Sequence, residues 1–305
     1  MVNFISKRSI WLSLSTLFVV ASLVALFGWG FKLGIDFTGG SLLEVKFNGT
    51  QPSVTEVEKS LEPLKLQSLT AQPAEKEGMI LRFQQTSEET HQAALENLRK
   101  LAKDKGAKEP VLEEQRFEAV GPSVGQELQR KAIYSIILVL LAISLYIAWA
   151  FRKVSRPVAS WKYGAATLVA LLHDVIIVLG FYALLGHVLG VEVNTTFVAA
   201  ALTVLGFSVH DTIVVFDRIR ENLPRSSEDF AGTVNTSLNQ TVVRSINTSL
   251  TVLLVLASIY FLGGLSIKYF ALSLLVGIFF GTYSSIFLAS PLLVVWDNIS
   301  RKRAK

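Results

Sequence analysis

The stretch FVAAALTVLGFSVHDTIVVFDRIR, residues 197–220, decides the fold. It begins as an apolar run long enough to cross a bilayer, and near its charged end it carries His210 and Asp211. A carboxylate at the centre of a membrane helix costs about 2.5–3.5 kcal/mol. Asp211 lies roughly 6–9 Å inside the charged end, so its cost is smaller but still unfavourable. We therefore expect Asp211 either to move something across the membrane or to pair with another group.

Five further segments pass the same length test, which predicts an α-helical polytopic membrane protein with six transmembrane helices. The span nearest the N-terminus, residues 10–29, is not expected to be a cleaved signal peptide, because it is long and no small-residue cleavage site follows it. The predicted spans are residues 10–29, 132–151, 163–185, 197–216, 246–262 and 269–296. The domain scheme that follows is a lead and first helix over residues 1–30, an outer domain over 31–131, a bundle over 132–296 and a basic tail over 297–305.

Composition and charge support this topology. Hydrophobic residues make up 51% of the 305 residues and charged residues 17%, and the chain has no cysteine, which excludes disulfides and thiolate metal sites. Residues 31–131 carry a net charge of −2 and the rest of the chain +7. Of the basic residues outside 31–131, only Lys268 falls on the outer side, so both termini are predicted to be cytoplasmic. Membrane topology therefore explains the excess of basic residues, and no nucleic-acid binding is expected.

The outer domain is predicted to be a ferredoxin-like α+β domain between the first two membrane helices. Its predicted strands are residues 41–47, 66–72, 79–84 and 111–120, and its helices are residues 53–61 and 87–105. Pro73 and Gly78 are expected to separate the second and third strands. The order βαββαβ is the split pattern of that fold.

Two glycine-containing segments flank this domain. Residues 34–40, GIDFTGG, are expected to form a turn or a close backbone contact between helix and strand. After Val120, Gly121-Pro122 should break the last strand, and Ser123 could cap the helix that enters the second span. From physics alone, both segments are equally well explained as plain connections.

The polar residues of the membrane helices fall on distinct helix faces. Asp211 shares a face with Ser208, and Asp174 shares one with Thr167. Arg244 should lie on a polar face of the fifth span at a depth similar to Asp211. A carboxylate beside a guanidinium stays ionised, and a buried carboxylate alone favours its proton. We therefore predict that Asp211 carries a proton and that Arg244 controls its release. The alternative is a static ion pair that fixes helix register.

Other polar residues support weaker predictions. Asp174 is predicted to lie near the bilayer midplane and to take part in the same proton coupling. His173 and His210 are possible relay groups or simple packing donors. A metal site from the two His-Asp pairs has no recognisable ligand spacing, so no metal is expected. No nucleotide-binding loop or Ser/His/Asp arrangement is present, so we expect no cofactor and no enzymatic activity.

The residues also resemble a known family. The resemblance to the SecF proteins of the SecD/SecF family covers nearly the whole chain in order. It rests on residues 34–40, on Val120-Gly121-Pro122 with Gly125 and Glu127-Leu128, on His173-Asp174, on residues 211–222 (DTIVVFDRIREN), and on Arg244 with Thr248-Ser249 and Gly263-Gly264.

The resemblance implies a fold, a function and partners. It implies a six-span protein of the resistance-nodulation-division superfamily, pairing with SecD and acting at the SecYEG channel with SecA. Such a protein uses the proton gradient to promote export of the emerging preprotein across the bacterial inner membrane, although an internal membrane such as the thylakoid stays open. The family's fourth-span Asp and fifth-span Arg, implicated in proton coupling, match Asp211 and Arg244. The family usually has Asn where this chain has His210.

Two other functions stay open at this point. One is a small-molecule exporter of the same superfamily, although six spans with one outer domain make only half of such a transporter. The other is a passive scaffold for membrane-protein assembly, which would make no use of the gradient.

Overall fold

A computed structural model describes residues 2–74, 77–106, 109–152 and 158–303, without the side chains of residues 265, 266 and 303. The chain divides into two compact units, residues 33–131 and residues 1–32 with 132–305. Of the predicted basic tail, residues 304 and 305 lie outside the described part. The elements are α1 Arg8–Trp29, α2 Ile35–Thr38, β1 Gly40–Phe47, α3 Val54–Leu61, β2 Thr70–Ala74, β3 Gly78–Phe83, α4 Glu88–Asp104, β4 Leu112–Val120, α5 Pro122–Ala150, α6 Ser160–Leu189, α7 Thr195–Asn222, α8 Phe230–Leu262, α9 Leu265–Ser284 and α10 Ser290–Arg303.

The smaller unit is a four-stranded antiparallel sheet with two helices on one face. The strand order is β2-β3-β1-β4, which confirms the ferredoxin-like βαββαβ prediction. Alternate residues of β1 point into the core, where Leu43, Val45 and Phe47 are buried. Leu61 of α3 and Leu98 of α4 cover them. Ser53 caps α3 with a complete capping box, and Ser87 caps α4.

Two local predictions in this unit were wrong, and a third was right in part. Pro73 does not end a strand but pairs with Met79 inside β2, because β2 is an edge strand and needs no inward N–H at that position. Residues 35–38 form the short helix α2, while the expected close backbone contact is present at Gly39. Ser123 does not cap α5, because that helix already begins at Pro122, where a missing N–H is harmless.

The larger unit is helical. Among the described residues, six helices are long and apolar enough to cross a membrane: α1, α5, α6, α7, α8 and the continuous segment from residue 267 to residue 302. That last segment comprises α9, a π-helical turn Ser285–Ala289 and α10. The helices α6 and α9 are the most enclosed, while α1, α5 and α8 present most of their surface outward.

Small residues allow the inner helices to pack closely. Gly277, Gly281 and Ser285, at four-residue spacing on the last span, form a stripe of small residues that faces α7. A Cβ atom on Gly277 would collide with Val204, and one on Gly281 would lie 2.9 Å from the Cβ of Ser208. The stripe therefore sets the distance between α7 and α9, and with it the position of the polar groups on α7.

Candidate functional site

Asp174 lies in the middle of α6 and is fully buried. Its Oδ1 is 2.8 Å from Nδ1 of His173. Its Oδ2 accepts hydrogen bonds from Ser208 Oγ of α7 at 2.6 Å and from Ser284 Oγ of α9 at 2.8 Å. All three contacts are within ordinary hydrogen-bonding distance. Asp174 thus joins three helices at one point.

Asp211 lies one turn further along α7 than Ser208 and is 2% exposed. Its Oδ2 accepts a hydrogen bond from Thr282 Oγ1 of α9 at 3.1 Å and a weaker one from Ser249 Oγ of α8 at 3.4 Å. The two hydroxyls are themselves 2.5 Å apart. Asp211 therefore lies where α7, α8 and α9 meet, held by longer bonds than those at Asp174.

Further hydroxyl groups lie between the two aspartates. The Oγ of Ser285, in the π-helical turn, lies 3.1 Å from the carbonyl oxygen of Ser208 and 2.8 Å from Thr212 Oγ1. Ser208 bonds Asp174, and Thr212 follows Asp211 in the chain. A π-turn displaces the side chains that follow it from the ordinary helical register and is frequent at functional sites. The result is a cluster of hydroxyl groups near both aspartates inside an apolar bundle.

Arg244 lies on the polar face of α8 predicted for it, but that face points outward and not towards Asp211. Arg244 is exposed, and no ion pair joins it to Asp211 within the residues that the structure describes. The inward face of α8 carries Ser245 and Ser249 instead, both buried. Adjacent positions on a helix are about 100° apart, so an inward Ser245 turns Arg244 to the outside. The expected approach of Arg244 to Asp211 therefore stays a prediction.

The two predicted histidines have different surroundings. His173 is buried, stacks at 22° on Tyr283, and has no hydrogen-bond partner for Nε2 among the described residues. Tyr283 in turn donates a hydrogen bond to the carbonyl oxygen of Trp11 on α1. The side chain of His210 is 61% exposed, with Nδ1 4.0 Å from Asp211 Oδ1. His210 thus stands between Asp211 and the outer surface of the helices.

The donor set does not favour a metal or an organic cofactor. No group of three histidine, aspartate or glutamate side chains that could hold a metal ion occurs among the described residues. The groups that face Asp174 and Asp211 are mainly hydroxyls, which are weak ligands but good donors to a carboxylate. The arrangement can therefore stabilise, take up and release protons at carboxyl groups.

A second special feature lies in the smaller unit, at Gly39 and Gly40. Both have positive φ angles, 74° and 120°, which L side chains rarely adopt. A Cβ on Gly39 would lie 2.8 Å from Cα of Pro122, and one on Gly40 would lie 2.7 Å from the carbonyl oxygen of Phe83. The backbone of Gly125 approaches this turn equally closely. Only glycine fits at these positions, so the start of α5 packs directly on the turn.

Comparison with known proteins agrees with this geometry. A family profile described as "Protein export membrane protein SecD/SecF, C-terminal" matches residues 100–299, and one described as "SecD/SecF GG Motif" matches residues 24–51. Protein translocase subunit SecF of Thermobaculum terrenum is 43% identical over 313 residues, covering 98% of this chain and 95% of that protein. The chain belongs to the SecD/SecF family.

Other members of the SecD/SecF family confirm the match. The SecF subunit of Anaerolinea thermophila is 36% identical, over 98% of this chain and 95% of its own length. The crystal structure of SecDF from Thermus thermophilus, described as a translocon-associated membrane protein, superimposes with a TM-score of 0.81 at 34% identity. The match covers 97% of this chain and 39% of that one. In the SecD/SecF family the GG motif therefore corresponds here to the tight turn at Gly39 and Gly40.

Several residues of the site were missed in the sequence. The spacing placed Ser208 beside Asp211, but its hydroxyl bonds Asp174. Thr282 and Ser284, which supply the α9 donors to the two carboxylates, were not singled out. The run GTYSS at residues 281–285, three hydroxyl residues and a tyrosine in an otherwise apolar helix, was the available signal.

Proposed function

We propose that this chain is a proton-coupled subunit of the Sec translocase, which acts with SecD at the SecYEG channel, together with SecA, to promote export of preproteins. Asp211 carries the proton. The role needs no cofactor and no catalytic group, because the energy comes from the gradient. The relatives are named protein translocase subunits, which are transport components.

The observation that carries the proposal is the environment of Asp211. It is buried where three membrane helices meet, its described contacts are hydroxyl groups and His210, and no lysine or arginine neutralises it among the described residues. A buried carboxylate without a counter-charge is unfavourable unless it binds a proton. Because hydroxyls can donate to a carboxylate or accept from a carboxylic acid, they tolerate both states.

Asp174 is assigned a different part in the same process. Its three bonds, to His173, Ser208 and Ser284, satisfy the carboxyl group and join α6 to α7 and α9. Asp174 is fully buried among these partners, whereas Asp211 has the exposed side chain of His210 beside it, so Asp211 is the better placed of the two to exchange a proton. We therefore assign Asp174, with His173 as its partner, to positioning the helices around Asp211.

Arg244, on the exposed face of α8, is proposed to control the release of the proton from Asp211. It is on α8, next to Ser245, which is buried near Asp211. In this arrangement Arg244 is withdrawn from Asp211, which corresponds to the protonated half of the cycle. A turn of α8 that brought Arg244 inward would favour the ionised form and release the proton.

In this proposal, SecD packs against exposed polar residues of α7 and α8. On α7 the exposed positions include Thr203, Gly206 and His210, and on α8 they include Arg244 and Thr251. Polar and small residues of membrane helices face other helices and not lipid. These faces therefore need a second protein against them, and a SecD subunit of the same family is the natural occupant.

The location follows from the same proposal. Six membrane-spanning helices indicate a multi-pass protein. We place it in the bacterial inner membrane with both termini in the cytoplasm, because the basic residues outside the smaller unit concentrate at the terminal side of the bundle.

The test is to substitute Asp211→Asn and to measure export into inverted vesicles with and without an imposed proton gradient. The variant keeps the size and the hydrogen-bonding capacity of the side chain but cannot exchange a proton. We expect it to assemble with SecD and to lose the gradient-dependent stimulation. The matched control is Asp217→Asn, which removes a partly exposed carboxylate from the same helix and should respond like wild type.

A gradient response in the Asp211→Asn variant equal to that of wild type would refute the proton role. The scaffold alternative would then be favoured, since it requires assembly alone. The exporter alternative has no comparable support, because the curated relatives that the chain covers over nearly their full length are named translocase subunits.

A further inference from the structure

A basic groove lies at the end of the bundle where α1 begins and α10 ends. It encloses about 650 Å³ and is lined by Arg8, Val295, Asn298, Ile299, Arg301 and Lys302. We propose that this groove binds the phosphate head group of an anionic phospholipid. The inference is independent of the proposed proton coupling, since no residue of the groove contacts Asp174 or Asp211.

Three cations converge on the groove. Arg8 comes from the first turn of α1, and Arg301 and Lys302 come from the last turn of α10. Arg301 uses its Nε to hold the buried carboxylate of Asp297 at 2.8 Å, so its terminal nitrogens lie away from that bond. Neither Arg8 nor Lys302 forms an ion pair with any residue that the structure describes. The groove thus keeps an excess of positive charge.

The side chains of Arg8 and Lys302 are available to a ligand. Arg8 donates a long hydrogen bond of 3.3 Å through Nη1 to the carbonyl oxygen of Ile5. The other nitrogens of its guanidinium are available to a ligand. Lys302 is exposed. Guanidinium and ammonium groups side by side are the donors that bind a phosphate most strongly.

Aromatic residues place the groove at the membrane–water interface. Trp11 lies one turn inside Arg8, and Trp296 lies just over one turn before Arg301. The ring centroids of Trp296 and Trp161 are 6.2 Å apart, and Trp161 is 61% exposed. Tryptophan concentrates at the depth of lipid head groups, so the basic side chains next to it lie at the level of the phosphates.

The wall of the groove distinguishes a lipid from a free anion. Val295 and Ile299 line it, and Ile299 is 43% exposed. An apolar wall offers nothing to inorganic phosphate, but it can pack against the glycerol and the upper acyl chain of a lipid. Basic pockets between membrane helices bind anionic head groups by this combination.

The experiment is native mass spectrometry of the full-length chain in neutral detergent, with phosphatidylglycerol or phosphatidylcholine added. Wild type should retain phosphatidylglycerol in preference to phosphatidylcholine. The double variant Arg8→Gln with Lys302→Gln should bind phosphatidylglycerol about 25-fold more weakly, at about fivefold for each charge near the membrane surface.

Two controls separate charge at the groove from charge in general and from misfolding. The double variant Arg152→Gln with Arg225→Gln removes the same charge from the same end of the bundle, outside the groove, and should bind like wild type. The exchange Arg8→Lys with Lys302→Arg keeps the charge and should restore most of the binding. Equal retention of phosphatidylglycerol by wild type and by the Arg8→Gln, Lys302→Gln variant would overturn the proposal. Displacement of the lipid by an equal concentration of inorganic phosphate would also overturn it, in favour of a soluble anion.

Discussion

At the scale of single residues, the two buried aspartates differ in how firmly they are held. Asp174 accepts bonds of 2.6 and 2.8 Å from two serines and lies 2.8 Å from a histidine nitrogen. Asp211 accepts bonds of 3.1 and 3.4 Å from hydroxyls. The shorter contacts at Asp174 join three helices closely, whereas the longer ones hold the carboxyl group of Asp211 less tightly.

Removal of the Asp174 carboxyl group should therefore destabilise the bundle. In Asp174→Ala the hydroxyls of Ser208 and Ser284 and the ring of His173 lose their acceptor inside the protein. We expect a loss of about 2–5 kcal/mol in the free energy of unfolding, measured by thermal denaturation in detergent. The control Asp217→Asn, at a partly exposed position, should change the free energy of unfolding by less than about 0.5 kcal/mol. A variant Asp174→Ala as stable as that control would contradict the positioning role.

Helical spacing predicted the faces of most buried residues but not the rotation of α8. Ser208 and Thr167 are buried with the aspartates of their helices, as the apolar periodicity indicated. On α8 the polar residues nearly encircle the helix, so the sequence offered two polar faces one residue apart. Contact with α7 and α9 selects the face of Ser245 and Ser249, and such tertiary contacts cannot be read from α8 alone.

At the scale of the helices, the α7–α9 contact depends on the absence of side chains at Gly277 and Gly281. A methyl group at Gly281 would lie 2.9 Å from Cβ of Ser208, which is the donor to Asp174. The packing of two helices and the geometry of the carboxylate site are therefore set by the same residues.

Gly281→Ala should separate these helices and destabilise the chain by about 1–3 kcal/mol. The control is Gly28→Ala on α1, where nothing lies within 4 Å of the added Cβ, so this change should be neutral or slightly stabilising. Thermal unfolding of both variants in detergent provides the measurement. If Gly281→Ala unfolds at the temperature of Gly28→Ala, the close contact does not constrain the bundle.

In the smaller unit, Glu56 connects the start of α3 to the end of α4. It accepts a hydrogen bond from Nζ of Lys105 at 2.7 Å and one from the backbone N–H of Ser53 at 2.8 Å. The bond from Lys105, followed by those from Ser53, lowers the pKa of Glu56 from 4.5 to about 2. A depressed pKa means that the ionised form stabilises the fold, fully above about pH 4.5 and not at all once the pH falls below about 2.

Hydrogen exchange at the amides of α3, corrected for the intrinsic effect of pH, tests this dependence. At neutral pH, Glu56→Gln should exchange faster than wild type, and the difference should vanish as the pH falls from about 4.5 towards about 2. Glu58→Gln, an exposed change on the same helix, should match wild type throughout. A difference that persists at the lowest pH would refute the electrostatic explanation.

Elements with strong local signals were predicted well, and elements that depend on neighbours were not. Both capped helices of the smaller unit begin where their serine caps indicate. The second strand was displaced, because whether Pro73 can lie in a strand depends on that strand being at the sheet edge. Likewise α8 begins at Phe230, about four turns before the predicted fifth span at residue 246, since its polar first part packs against the chain's own N-terminus and α7.

At the scale of the whole molecule, the outward faces differ in chemistry. The exposed surface of α5 is apolar, with Leu138 68% and Leu145 70% exposed, as suits contact with lipid. The exposed positions of α7 include Thr203 and Gly206 and no large apolar residue, while those of α8 include Arg244 and Thr251 beside apolar residues such as Leu250. This asymmetry indicates one side for lipid and another for a protein partner.

Site-specific photocrosslinking distinguishes the two sides. A photoreactive amino acid at position 251 should capture SecD when the two proteins are expressed together, and one at position 138 should not. Crosslinks to SecD of equal yield at both positions would show that the polar face does not define the interface. The result applies to the partner assignment alone and leaves the proton role to a separate measurement.

The most direct test of the central claim is to observe the proton on Asp211. Infrared difference spectra of the complex reconstituted with SecD, recorded between neutral and alkaline pH, report the carbonyl stretch of a protonated carboxyl group, while exposed carboxyls are already ionised throughout. We predict that wild type loses such a band on the alkaline side, that Asp211→Asn lacks it, and that Asp217→Asn keeps it. Wild-type spectra without the band, or an Asp211→Asn spectrum that retains it unchanged, would contradict the account.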